Sequence, residues 1–151
     1  MFKDLFKKKE VVDNNINFDV LVEKVKKMPF KEGQNFLWKE TFSLDKWNFI
    51  TKPVMDINDP RPFIGEVEGK GWMYVFTDGP HARKFGEAQR LVNADGSINT
   101  IAMEPAKAVE WLCKWEESGV YGIMFNAGEF CWFAPIANLK PIMEYLNGGN
   151  A

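Results

Sequence analysis

This sequence has little histidine, little cysteine and no long apolar run, and each shortage excludes something. One histidine, His81, and two cysteines, Cys113 and Cys131, are too few for a four-ligand metal site or a disulfide framework. No metal and no cofactor are therefore expected. No apolar stretch approaches the ~18–20 residues of a membrane span, and the N-terminus lacks the ~7–15-residue apolar block of a signal peptide. The expectation is a cytoplasmic protein with no integral membrane contact. An excess of basic residues is missing too: the formal charge is −2, whereas a phosphate-binding surface needs clustered Lys and Arg. Nucleic acid is not an expected partner.

What remains is apolar and aromatic. Over 151 residues, 46% are hydrophobic and 15% aromatic, enough for a sizeable core in one compact domain. The charge is uneven, because the stretch through Lys31 carries +3 and the rest −5. The basic excess falls on MFKDLFKKKEVVDNN, residues 1–15, where Phe2, Leu5 and Phe6 sit at helical spacing among lysines. This reads as a basic amphipathic arm that docks on a partner, joined to a domain spanning residues 16–151.

Within that domain, Asn17 is placed to cap a helix whose apolar stripe is Phe18, Leu21, Val22, Val25 and Met28, stopped by Pro29. Residues 31–44 fit either period, and a short helix is expected there. A strand is expected over 47–51. PFIGEVEGKGWMYVFTD reads as two strands folded about Gly69-Lys70 in a type II′ turn, the second strand apolar on both faces and hence central. Asp78-Gly79-Pro80 has the chemistry of a helix start, with Ala82, Phe85, Ala88 and Val92 as the buried face. A strand at 98–103 and a helix opened by Pro105 and stopped by Gly119 follow, with Trp111 and Trp115 on its apolar seam. Strands linked through such helices are expected to be parallel neighbours. In GVYGIMFNAGEFCWF the glycines serve a hairpin loop at 126–129, not a phosphate cradle, and Asn138 is expected to cap a last helix. The fold class is thus α/β (α+β): a mixed sheet of about five to six strands with two hairpins and flanking helices.

The order of these elements, with YVFTD ending one strand and Gly122-Ile123-Met124-Phe125-Asn126-Ala127-Gly128 ending another, resembles the SseB N-terminal domain family over roughly residues 33–147. Ala127 stands where that family commonly has proline. The resemblance implies a small α/β domain of unsettled biochemical role, and with no catalytic motif in the sequence the expectation is a non-catalytic protein-binding or regulatory domain acting through a protein partner or self-association.

Residues able to carry chemistry are few. Thr77, Asp78, His81 and Arg83 gather where a central strand meets a helix N-terminus, and Asn126 ends a later strand. Amide donors and cations there suit a small anion or a nucleotide-like ligand, although the same residues also suit a plain helix cap. A Cys/His hydrolase is a third reading, and the apolar neighbours of both cysteines argue against it. Glu66 with Glu68, and Glu116 with Glu117, read as solvated charges at a turn and a helix end. Six tryptophans are many for so small a domain. Trp38, Trp47, Trp72 and Trp132 are candidates for an exposed patch, and Trp72 and Trp132 with Phe2, Leu5 and Phe6 make the expected partner surface.

Overall fold

The computed structural model describes residues 17–53, 61–128 and 131–149. The arm residues Phe2, Leu5 and Phe6, and the boundary at residue 15, lie outside the described residues. Two compact units divide the chain after Trp38.

The first unit holds helix α1, Phe18–Val25, and most of α2, Phe30–Phe42. The Asn17 side chain accepts from the Asp19 and Val20 amides, the cap expected from its position. Phe18, Leu21, Val22 and Val25 form the buried stripe of α1. Gly33 lets α2 approach α1 closely, because a Cβ there would stand 3.0 Å from a Val25 methyl. Residues 31–44, where periodicity alone is ambiguous, continue α2 through Phe42 before the chain turns.

The second unit is built on a six-stranded mixed sheet. In chain order its elements are β1 (Trp47–Ile50), β2 (Ile64–Val67), β3 (Lys70–Phe76), α3 (Gly79–Ala88), β4 (Thr100–Met103), α4 (Pro105–Glu117), β5 (Val120–Phe125), β6 (Trp132–Pro135) and α5 (Leu139–Glu144). The strands run β4-β1-β3-β5-β6, with β2 also paired to β3. Among the described residues only β3 and β5 pair in parallel, and the other strand pairs are antiparallel. β3 is the centre, and its residues from Met73 to Phe76 are buried, as its two-faced apolar pattern requires.

Several expectations change in detail. The β2–β3 turn is made by Glu68 and Gly69, both at positive φ (53° and 80°), so it is a type I′ turn one residue earlier than expected. α3 ends at Ala88, and Leu91 rather than Val92 is buried beyond it. β4 lies beside β1, antiparallel, so neither helix crossover joins adjacent parallel strands; the strand entering after α4 instead pairs with β3. A 3₁₀ turn, Ile136–Asn138, leads into α5, and Asn138 is itself helical with no side-chain cap bond.

Two cores flank the sheet. On one face Ile50, Trp72, Tyr74 and Phe76 pack with Ala82, Phe85 and Leu91 of the α3 region. On the other, Phe49 meets Trp111 of α4 edge-on, and the rings of Phe125 and Trp132 stack with 4° between their planes. Trp47 and Trp132 both anchor to Thr41, one donating to its carbonyl and one to its hydroxyl. These two buried indole N–H groups are thereby satisfied within the unit.

Gly122 is the tightest point of this sheet. A Cβ there would stand 2.6 Å from the Ala134 carbonyl oxygen and 2.6 Å from Trp72 Cζ3, and neither the ladder nor the indole has room to give. Gly122→Ala should therefore cost about 2 kcal/mol or more in chemical denaturation, whereas Gly79→Ala, with nothing within 4 Å, should stay within about 0.5 kcal/mol.

Candidate functional site

The C-terminal ends of the parallel strands β3 and β5 bring four of the five candidate ligand residues together. Beyond Phe125, Asn126 takes a positive φ of 52° and is buried, and its amide donates to the Val75 carbonyl. Its side chain continues the ladder: Oδ1 accepts from the Thr77 amide at 3.1 Å, and Nδ2 donates to Thr77 Oγ1 at 3.1 Å. Thr77 Oγ1 in turn lies 3.4 Å from Asp78 Oδ2. Asp78 Oδ1 accepts from the His81 amide at 2.9 Å and lies 2.6 Å from His81 Nδ1.

This network is organised inward. Asp78 is the N-cap of α3, in extended conformation, and the residue types are those a cap needs. Both ends of the Asn126 amide are used on Thr77. The donors of the first turn are largely taken as well: the His81 amide serves Asp78, the Ala82 amide bonds the Asp78 carbonyl, and Pro80 has no N–H. The arrangement fastens two strands and one helix, and offers an incoming anion a carboxylate instead of a row of free amides.

Arg83, the fifth candidate, does not join them. Its guanidinium donates to the Gly96 carbonyl at 2.9 Å, fixing the 93–99 loop, whose Gly96 has a φ of 87°. It lines an open cleft of about 510 Å³ with Asn48, Pro80, Lys84, Glu87 and Thr100. Cations and an anion share that cleft, so its field is mixed.

The Cys131 thiol lacks the activation a nucleophile needs. Cys131 is half-buried, and burial pushes its thiol up to about 11. Its Sγ lies 3.9 Å from the Trp132 carbonyl. The same burial raises Tyr74, with Cys131 a smaller contributor. Cys113 is half-buried on α4. Among the described residues no group of three or more His, Cys, Asp or Glu side chains is placed to hold a metal ion, and no helix is long and apolar enough to cross a membrane.

The tryptophans expected at an exposed surface are interior: Trp38, Trp47, Trp72 and Trp132 are all buried. For Trp72 and Trp132 this corrects the expected partner surface, since each packs under other rings. Two exposed aromatics, Tyr121 and Phe133, are neighbours of Trp72. α3 packs on β1 and β3, while on the same face of β5 and β6 Phe133 is 58% exposed and Tyr121 37%. A bulge between Gly71-Val120 and Trp72-Gly122 leaves Tyr121 as the extra residue and turns its ring to Trp72, 5.2 Å away and 74° inclined. Phe133 stands 5.8 Å from the same indole at 89°. Lys70 Nζ lies 4.2 Å over the Tyr121 ring. Alternation along the short β6 contained the signal: with Trp132 facing one core, Phe133 must face the other side of the sheet.

In comparisons with known proteins no family model matches the chain, and no curated protein matches it either.

The raised Cys131 thiol sets a test of the inert-cysteine reading. A folded-state value of about 11 against the model-compound 9.0 leaves about a hundredfold less thiolate at pH 8. Native alkylation of Cys131 should be correspondingly slow and climb until about pH 11. The linked stability is fully present below pH 9 and falls as pH rises toward 11, because the unfolded thiol ionises first. Rapid labelling at pH 7–8 in the folded chain would contradict this.

Proposed function

We propose that this chain is a non-catalytic, regulatory protein-binding domain, similar in kind to SseB N-terminal domains, and that it holds its partner on the aromatic step formed by Tyr121 and Phe133. One observation carries the reading. In a unit where Trp47, Trp72 and Trp132 are buried, the uncovered half of one sheet face presents a Phe at 58% exposure and a Tyr at 37% on a common indole. Aromatic side chains of this kind supply large contact area at little conformational cost, and they are enriched where proteins meet. The Thr77–Asp78–His81–Asn126 network then has a supporting role, holding β3 and β5 in register from the far end of their ladder.

A second reading, a small-anion or nucleotide-like ligand sensor, draws its support from Arg83 and Lys84 in the cleft beside the start of α3. Glu87 in the same cleft opposes it electrostatically. The cytoplasm is the proposed location.

Pull-down with the full chain tests the assignment. Phe133→Asp should lose the captured partner at least about tenfold while the melting temperature stays within about 3 °C, because the ring is exposed and its removal leaves no cavity. Glu117→Ala, on the last turn of α4, should change neither. Identical capture by Phe133→Asp and the parent would overturn the docking face, and loss of capture only in Arg83→Ala would move the assignment to the cleft.

A further inference from the structure

We infer that the occupant of the aromatic step is a proline-rich segment of the partner in extended left-handed conformation, with an acidic residue toward Lys70; this rests on the docking face proposed above.

The first argument is area. Phe133, Tyr121 and Val67 are 58%, 37% and 38% exposed. Together they offer roughly 250 Å² of side-chain surface, against about 800 Å² per partner in a stable protein–protein interface. A second copy of this chain, or any rigid globular partner, finds too little here on its own. A short segment fits, provided that little ordering entropy is lost. A proline-rich segment meets that condition, because its backbone is already confined to one conformation.

The second argument is ring geometry. Tyr121 and Phe133 stand 74° and 89° to the Trp72 indole, giving a stepped surface instead of a flat one. Gly122 makes the step possible, since the six-membered edge of the indole lies where its Cβ would be. Rigid, saturated pyrrolidine rings pack into aromatic steps of this shape, and aromatic-lined surfaces are the general solution for extended proline-rich ligands.

The third argument is an unsatisfied donor. Trp72 Nε1 is buried without an acceptor, although the indoles of Trp47 and Trp132 each have one. By the covalent geometry of indole, its N–H lies on the edge opposite the one over Gly122. An extended proline-rich segment has no internal hydrogen bonds, so all its carbonyls need donors from outside. Trp72 packs against both rings of the step, and its N–H is the donor there that still lacks an acceptor.

The last argument is charge. Lys70 is held over Tyr121 at 4.2 Å and brings a cation to one end of the step, in a cleft that Glu116 also lines. A carboxylate in the segment would meet it there. Single-stranded nucleic acid also stacks on aromatic rings, but it needs a tract of cations along its backbone, and the chain carries a formal charge of −2.

The test titrates the full chain with three acetylated peptides: decaproline, decaproline extended by Asp-Asp at one end, and an alanine–glutamate helical peptide. Oligo-dT serves as a fourth probe. The readout is the indole N–H resonance of Trp72, assigned with Trp72→Phe. The proposal expects both proline peptides to move that resonance, the Asp-extended one to bind severalfold tighter, Lys70→Ala to remove that advantage, and Phe133→Ala to weaken both by at least about tenfold. A Trp72 resonance unmoved by either proline peptide overturns it, as do equal binding of the helical peptide, a preference for oligo-dT, or concentration-dependent dimerisation that buries Phe133. If Phe133→Asp loses the captured partner while the proline peptides leave Trp72 unmoved, the docking face stands and this occupant is wrong. If neither responds, both fall.

Discussion

The parallel pairing of β3 with β5 is the constraint on which the second unit depends. β3 is the strand to which β1, β2 and β5 all attach, and β5 alone carries β6. Parallel ladders are slightly weaker per residue than antiparallel ones, so their ends benefit from reinforcement. Here the reinforcement comes from one side chain. Past Phe125 the backbone of β5 turns at a positive φ, which Asn tolerates better than most residues, and the Asn126 amide group then takes the place of the next peptide unit in bonding Thr77. The same Thr77 leads into Asp78, the cap of α3. Strand register and helix position are therefore set by one connected set of polar atoms, in which the buried Asn126 amide is held with both its ends partnered.

At the opposite end of the ladder the pairing is irregular, and the candidate binding surface sits there. The bulge at Tyr121 brings an extra ring over the sheet, and Gly122 beside it gives Trp72 room to lie across β5. A locked end and an irregular end on one strand pair divide its roles: the first maintains geometry, the second exposes aromatic surface. Residues that look chemically active, Asp78 and His81 above all, are engaged at the locked end. Residues that look like ordinary core aromatics lie at the end where rings are exposed.

That division explains which features could be read from sequence. Local chemistry was legible: the Asn17 and Asp78 caps, the Pro105 start, the positive-φ glycines at 69, 119 and 128, and the central character of β3 all follow from short-range sterics and hydrogen bonding. Long-range pairing was not. β4 beside β1 and the Asn126–Thr77 bonds join residues about fifty positions apart, and no periodicity encodes them. Exposure failed for a related reason. Alternation separates Trp132 from Phe133 but cannot say which face of β6 has a helix over it, so the larger ring is the natural and mistaken choice for the surface. Asn138 has the chemistry of a cap, yet a 3₁₀ turn already leads into α5 and leaves it helical.

Amide hydrogen exchange at Thr77 reaches the central claim most directly. If the Asn126 side chain closes the β3–β5 ladder, the Thr77 N–H exchanges slowly in the parent chain and at least about tenfold faster in Asn126→Ala, with a loss of about 1–3 kcal/mol in global stability and with Val75 still protected. Equal exchange at Thr77 in the two proteins would contradict the account, because the strand ends would then be held by something other than this one side chain.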